Sequence, residues 1–417
     1  VRAQVGDTDL RVVLGESAVM LDELVVTGTA GDTRRRVLGN AVSQVNAAEA
    51  AATMPIDNVS SLLNGRATGV VVQQGSGVAG TSSEIRIRGR SSLRDANDAP
   101  LIYVDGIRVN NRLTGGFGDP AVSRLDDIDP ASIESLEIIK GPAAATLYGT
   151  EASNGVIQII TKKCSEGPAR WNLTVRQGIG YFNDAADRLE ENFWTNPSGQ
   201  TISQNLVEAE EARGTPIFST AHNQFYNLSV AGGTGDLQYY LAGSGTFDTG
   251  VTPDNEGHRY NTRLNVSASP ATNLRINANT GIIVSRYRLP MMGNSGVLPS
   301  LQRGSPSTMN DPRRGWQTAP PESLYRAYNY NQDINRVTGG ITVEHSPTEW
   351  FSQRLTGGLD FTDQDISEYT PRLGEQDAQF FSPDFAAGRK NVRREEVLYT
   401  TLDYTGTVSW DATDDLA

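Results

Sequence analysis

The sequence predicts two fold classes in series: an α+β domain up to about Lys163, then a run of antiparallel strands of the kind that cross a bilayer as a β-barrel. Three observations carry this reading. Short apolar strands mix with small-residue helical stretches in the first part. Beyond Pro168 helical periodicity disappears and long alternating segments replace it. The connections between those segments alternate between short and long along the chain.

In the first part, PIDNVSSLLNGRATG places Asp57 to cap a turn that carries Val59, Leu62 and Leu63. The next stretch, GVVVQQGSGVAGTSSEIRIRGRSS, spells G-x-G-x-x-G through Gly75, Gly77 and Gly80. In a dinucleotide site those glycines bring the backbone to a pyrophosphate at a helix N-terminus. Here the residues that follow have the period of a strand, with Ile85 and Ile87 on one face and Glu84, Arg86 and Arg88 on the other. The acidic residues further on, Asp95 and Asp98, fall in a turn-rich stretch before Pro100. Strand, glycine turn, strand is therefore expected, and no nucleotide.

In the second part, Trp171, Leu173, Val175, Ile179 and Tyr181 alternate with Asn172, Thr174, Arg176, Gly178 and Gly180, apolar against polar or tiny. The pattern recurs in Leu237 to Asp248, His258 to Ala268, Leu274 to Val284, Phe351 to Thr362 and Val397 to Asp411, and more weakly in Asn223 to Gly232 and Gln332 to Ser346. That makes about eight strands, several reaching the nine to eleven or so residues a tilted strand needs to cross a bilayer. GGTGD, SPAT, SPTE and DATDD supply tight turns, whereas Asn183 to His222, Thr249 to Gly257, Arg288 to Asn331 and Tyr369 to Arg389 are longer and irregular. Trp171, Trp350 and Trp410 all lie at the short-turn end, where an aromatic girdle meets the lipid interface. A soluble β-sandwich or propeller with core tryptophans remains open on pattern alone.

Composition excludes other classes. Thirty-six basic residues against 49 acidic ones give a net charge of -13, which repels a phosphate backbone and argues against nucleic acid. Cys164 is the single cysteine, so neither a disulfide framework nor a thiolate cluster is available. His222, His258 and His345 are far apart and lack zinc-site spacing. No nucleophile, base and orienting group stand at recognisable spacing, so no catalytic, cofactor or metal residue is assigned and no enzyme is expected. No window approaches the roughly twenty apolar residues of a membrane helix. The opening VRAQVGDTDLRVVLGES carries no secretion signal; either the protein is cytosolic or its start is missing.

The run DNVSSLLNGRATGVVVQQGSGVAGTSSEIRIRGRSSL, then PLIYVDGIRVNN, then DPASIESLEIIKGPAAATLYGTEASNGVIQIITKK, resembles the plug domain of a TonB-dependent outer-membrane transporter, in order and densely from Asn40 to Lys163. VGDTDLRVVLGESAVMLDELVVTGTA resembles the end of a carboxypeptidase-regulatory-like β domain followed by a TonB box, which points to the SusC/RagA-like branch. The resemblance implies four regions: 1–20, a remnant of that β domain; 21–39, the TonB-box segment and linker; 40–165, the plug; and 166–417, the N-terminal portion of the barrel. A barrel of about 22 strands is implied, of which about eight are present, so a piece of a longer chain is expected.

The function the resemblance implies is active import of an oligosaccharide or peptide across the outer membrane, with the plug and N-terminus towards the periplasm. The implied partners are a TonB-type energy-coupling protein, a SusD-like lipoprotein and outer-membrane lipid. Asp22, Glu23, Leu24, Val25, Val26 and Thr27 would bind the coupling protein, Leu24 to Val26 being an apolar extended run suited to a partner's sheet edge; an interdomain strand is the other reading. Arg86, Arg88, Arg90 and Arg94 would pair with acids on the barrel wall, a solvated basic strand being the alternative. Phe193, Trp194, Trp316, Tyr325, Tyr328, Tyr330, Phe380 and Phe381 in the long connections either stack on cargo or pack the loops themselves. Competing functions are a siderophore or vitamin receptor without a lid lipoprotein, and a soluble β-rich binding or adhesion protein.

Overall fold

The computed structural model describes residues 24–26, 32–34 and 42–410, apart from 48, 51–55, 57, 75–77, 82, 90–98, 115–121, 292 and 295. Strands β1 (Leu24–Val26) and β2 (Asp32–Arg34) form an antiparallel pair. The α+β domain contains β3 (Val42–Asn46), β4 (Val70–Gln74), β5 (Ser83–Ile87), β6 (Leu101–Val104), β7 (Ile107–Val109), β8 (Leu113–Thr114), β9 (Val122–Ser123), β10 (Ile133–Ile139) and β11 (Val156–Thr161). Five of these make one sheet in the order β3-β10-β11-β6-β7, with β11 and β6 parallel and the other neighbours antiparallel. β4 and β5 pair antiparallel, which is the strand, turn, strand arrangement expected of the glycine-rich stretch.

The core of this domain lies between the sheet and the helix Val59–Leu63, where Val59, Leu62 and Leu63 meet Ile102, Val104, Leu136, Ile138, Ile157 and Ile159. The helix cap is Asn58, whose side chain accepts from Ser61 N at 2.8 Å. Asp57, expected to cap, lies outside the described residues. A helix that begins at Val59 takes its cap from the residue immediately before it.

The rest of the chain builds a single eight-stranded sheet in sequence order: β12 (Gly167–Gly180), β15 (Ala221–Gly233), β16 (Leu237–Thr249), β17 (Glu256–Ala271), β18 (Leu274–Leu289), β19 (Asn329–Thr348), β20 (Phe351–Thr370) and β21 (Arg389–Val408). β13 (Asn192–Thr195) and β14 (Thr201–Gln204) form a hairpin inside the first long connection. Register puts apolar residues side by side on one face: Leu173 opposite Leu228, Leu241 opposite Leu264, Ile282 opposite Val337. All six are exposed. Trp171, Trp350 and Trp410 are 68%, 57% and 75% exposed, which removes the alternative of a soluble sandwich built on core tryptophans.

The strands run for 13 to 20 residues, longer than the sequence pattern suggests. Much of the extra length, as in β18, β20 and β21, lies at the long-connection end, where outward positions are polar, as in Asp333, Asp363, Asp365 and Arg394. Main-chain pairing continues there, as at Asp365 opposite Arg394, after the apolar alternation has stopped. Above the hydrocarbon a strand needs only its ladder.

This placement makes a graded prediction. In the complete protein folded into lipid vesicles, Leu355→Arg, on the outward face near the middle of the apolar band, should cost about 2–4 kcal/mol, while Ser367→Arg at the polar end of the same strand should cost almost nothing. Denaturant unfolding of the two variants measures the difference; equal losses would remove the lipid-facing assignment.

Candidate functional site

The inner face of the wall is the complement of its apolar face, and the α+β domain packs against it. The closest contact is made by the hairpin of β6 and β7. Its turn is Asp105–Gly106, with φ +50° and +84°, the two-residue geometry that matches strand twist. β7 lies against β19, β20 and β21. Ile107 is fully buried and presses into a bare patch formed by Gly340 of β19 and Gly358 of β20, which are paired partners. A Cβ at Gly340 would lie 2.6 Å from Ile107 Cδ1, and one at Gly358 closer still, so only glycine lets the hairpin sit this near the wall.

Beside this socket stands a buried wall ion pair. Arg336 donates to Asp360 through Nε at 2.8 Å and Nη2 at 3.1 Å, and their side chains are 1% and 0% exposed. Arg336 also donates to the Asn110 carbonyl at 3.1 Å and the Arg124 carbonyl at 2.7 Å. Asp360 accepts from the Asn110 amide at 2.8 Å and from the Thr338 hydroxyl. One ion pair thus holds both ends of the segment 110–124 by its main chain. Removing one partner of such a pair strands the other charge in the interior, at roughly 3–5 kcal/mol.

Further contacts follow the same polarity. Arg263 pairs with Asp105, which also accepts from the Thr161 amide at 2.9 Å and hydroxyl at 2.7 Å. Arg259 donates to the Asp126 carbonyl, Arg176 to the Ile56 carbonyl at 2.5 Å, and Asn227 to Asp129 at 3.2 Å. Asp126 itself is buried, and burial pushes its carboxyl up, against hydrogen bonds from the Ser60 hydroxyl and amide. In these contacts the wall supplies the donors and the domain supplies carbonyls and carboxylates, while the polarity is reversed where Asp360 accepts from the Asn110 amide and where Arg112 of the domain pairs with Glu395 of the wall at 3.6 Å.

Of the arginines singled out in the sequence, the two that are described, Arg86 and Arg88, stand elsewhere. Arg86 pairs with Glu84 on its own strand, at 3.0 and 2.5 Å. Arg88 has φ +59° and donates its amide to the Gly69 carbonyl at 2.8 Å. Among the described residues no ion pair joins Arg86 or Arg88 to a wall acid, and Arg90 and Arg94 lie outside the described residues. Arg336, Asp360, Arg263 and Ile107 carry no local sequence signal as contact residues. Only the two Gly-Gly pairs in alternating strands mark a place of close approach.

At the other end of the domain the wall holds a second point. Asn255, from the connection after β16, accepts from the Ala79 amide at 2.7 Å and donates to the Ala79 carbonyl at 3.0 Å and the Arg288 carbonyl at 3.1 Å. Val78 packs on Tyr287, Leu289, Tyr330, Ile334 and Ile366. At the short-turn end a cavity of about 430 Å³ separates domain and wall, lined among others by Asp105, Lys163, Asn265, Arg275, Glu344 and Arg354.

The long connections fold into a body of their own. Leu206, Val207, Ile217, Val297, Leu301, Trp316 and Leu324 form its core, with Tyr325, Tyr328, Phe380 and Phe381 packed against it. Trp316 is fully buried and donates Nε1–H to Glu210 at 3.0 Å; the Tyr325 hydroxyl donates to the Ile217 carbonyl at 3.1 Å. Most of the loop aromatics are engaged in packing, while Phe193 stays 66% exposed. Arg326 and Ser323 bond Asp377, and the Arg326 guanidinium holds that carboxyl below its ordinary value. Of the proposed coupling segment, Leu24, Val25 and Val26 form β1, paired with β2; Asp22, Glu23 and Thr27 lie outside the described residues.

Residues 34–156 match the family model TonB-dependent Receptor Plug Domain. The TonB-dependent receptor SusC of Bacteroides thetaiotaomicron is 29% identical over 62% of this chain and 26% of its own length. The TonB-dependent receptor P26 of Formosa agariphila is 26% identical over 87% of this chain and 37% of its own. The fold matches the RagAB peptide importer in its open-open state with a TM-score of 0.71 at 19% identity, over 94% of this chain and 47% of that one. The chain carries a TonB-dependent receptor plug domain and is similar to TonB-dependent receptors of the SusC type.

Receptors of this type are outer-membrane β-barrel proteins with the plug facing the periplasm. In this chain the α+β domain is the plug and the eight-stranded sheet is barrel wall. The chain spans between about a quarter and a half of the length of these relatives. They are receptors and transporters rather than enzymes, and the contacts described here position a domain rather than activate a bond.

Two outcomes follow for the complete receptor. Arg336→Leu and Asp360→Leu should each loosen the plug by roughly 3–5 kcal/mol, while the double variant should lose clearly less than the sum, because no lone charge remains buried. Protease access to the plug across a urea series measures this; additive losses would refute the paired reading. For the loop body, a lowered Asp377 value means stability that is present above the ordinary 3.8 and is lost as pH falls below it, through the depressed folded value. Since Arg326 is half exposed, the effect is about 0.5–1 kcal/mol. Hydrogen exchange around Glu375–Ala378 should acquire this acid dependence, and Asp377→Asn should abolish it.

Proposed function

We propose that the complete protein is an energy-coupled importer of the outer membrane, taking an oligosaccharide or peptide from outside under a SusD-like lipoprotein lid. The observation that carries this is the seating of the plug on the inner face of a lipid-facing wall, through contacts that involve no covalent chemistry. A body that blocks a lumen and is held by hydrogen bonds and a few ion pairs is a stopper to be moved. The fold shared with the RagAB peptide importer is consistent with the peptide side of this cargo class.

In this proposal residues 1–20 end a small β domain, 21–39 couple the receptor to energy, 40–165 are the plug and 166–417 begin the barrel. The segment Asp22, Glu23, Leu24, Val25, Val26 and Thr27 binds a TonB-type protein. β1 supports this, since it is an extended strand in a sheet of only two strands among the described residues. Two-stranded pairs are marginal in water, so exchange of β2 for a partner's strand is inexpensive.

Two experiments on the complete protein test this. Cysteines at Ser198 or Pro306, in the long connections, should label from outside intact cells, and cysteines at Thr272 or Thr348, at short turns, should not; reversed labelling would invert the receptor in the membrane. Val25→Pro removes a main-chain donor and fixes φ. It should leave assembly and surface binding of a radiolabelled mixture of malto-oligosaccharides and oligopeptides unchanged while uptake of whichever component the wild type accumulates falls at least about tenfold. Undiminished uptake would make Leu24 to Thr27 a plain linker.

A further inference from the structure

Two of the plug's contacts with the wall, at its opposite ends, differ in chemistry. The hairpin contact combines a buried ion pair, four hydrogen bonds to or from main chain and hydroxyl, and Ile107 in a glycine socket. The contact at the plug's other end joins the apolar packing of Val78 to one neutral side-chain amide. Asn255 accepts from the amide of Ala79 and donates to its carbonyl, the pattern a neighbouring strand would make, supplied here by one side chain. The plug loop lies flush on the wall beside it: Gly80 has φ +88°, and a Cβ there would meet Tyr287 Cδ1 at 2.6 Å.

Asn255 is itself placed by the loops. Its amide donates to the Thr252 carbonyl at 3.1 Å and its carbonyl accepts from Gly250 at 2.9 Å. The neighbouring Val251 carbonyl accepts from the Ser219 amide at 2.8 Å. Ser219 follows Ile217, whose side chain is in the core of the long-loop body and whose carbonyl accepts from the Tyr325 hydroxyl. An unbroken series of contacts therefore leads from the helix Pro321–Ala327 through Ile217, Ser219, Val251 and Asn255 to Ala79.

We propose that the plug is anchored at Ile107–Asn110 and latched at Ala79 by Asn255, and that the long-loop body controls the latch through Tyr325 and Ile217 without disturbing the anchor. The latch opens first because its hydrogen bonds are made by one neutral amide on the connection between β16 and β17, whereas opening the anchor exposes a charge pair and a buried side chain together. A displacement of the loops by anything bound outside then reaches the plug as the loss of one amide's contacts.

The test is amide hydrogen exchange of the complete protein in lipid nanodiscs, read separately for a peptide covering 78–81 and one covering 101–110. Asn255→Ala should speed exchange at 78–81 at least about tenfold and leave 101–110 within about twofold of wild type. Tyr325→Phe, which removes only the hydroxyl, should speed 78–81 by about twofold to fivefold in the wild-type background and have no further effect on top of Asn255→Ala. The latch is refuted if 78–81 does not respond to Asn255→Ala, or if 101–110 responds equally. Control by the loops is refuted if Tyr325→Phe has no effect in the wild type or multiplies exchange by the same factor in both backgrounds. Heat-modifiable migration checks assembly; should Asn255→Ala fail to assemble, Asn255→Asp, which keeps an acceptor for the Ala79 amide and loses both donors, replaces it with the same expected order. The experiment needs neither cargo nor coupling partner, so its result is independent of the import reading.

Discussion

A strand with hydrocarbon on one side has no water to satisfy its main chain, and every other feature of this molecule follows from that restriction. The eight wall strands must pair in an unbroken ladder, and they do so in sequence order with long registers. Because side chains alternate, an apolar outer face compels every second residue to face inward. Those inner positions are free to be polar, and here they hold Arg176, Arg259, Arg263, Arg336 and Asp360. A wall that is oily outside is therefore available as a polar seat inside, and a plug held by hydrogen bonds is the natural occupant.

The direction of those hydrogen bonds also has a physical reason. Guanidinium groups reach far and present several donors, so an arginine on the wall bonds plug carbonyls without requiring any particular plug side chain. Arg336 does this twice, at Asn110 and Arg124, and Arg176 and Arg259 once each. A plug seated through its main chain keeps its own side chains for its core. The arrangement also confines the charged acids: Asp360 is neutralised by Arg336, and Asp105 by Arg263.

How much of this was legible in the sequence depends on whether a feature is local. The period-2 alternation announced the wall strands. The glycine run at 75–80 read correctly as a turn between strands because Ile85 and Ile87 alternate with charged residues. The seat was not legible. Arg336 and Asp360 lie 24 positions apart and contact the plug more than 200 positions away, so no spacing rule finds them. Arg86 misdirects for the opposite reason: its partner Glu84 is two residues away on the same strand face, a local pairing that conceals itself as free charge. The upper strand segments were underestimated because outside hydrocarbon the outer face is polar and the pattern vanishes while the ladder continues.

The position of the anchor within the plug sheet completes the picture. The sheet order β3-β10-β11-β6-β7 places the wall contact on one edge and β3, the strand reached first from the N-terminus, on the other. Between the two edges lie β10, β11 and β6, the strands with the most deeply buried apolar residues, among them Leu136, Ile138, Ile157 and Ile159. A load arriving through the N-terminal segment would cross the whole core before it reached Ile107 and Arg336. The edge that would take such a load and the edge that would resist it are thus separated by the part of the plug least able to yield, so a plug pulled there would move as one body for as long as β3 remained attached.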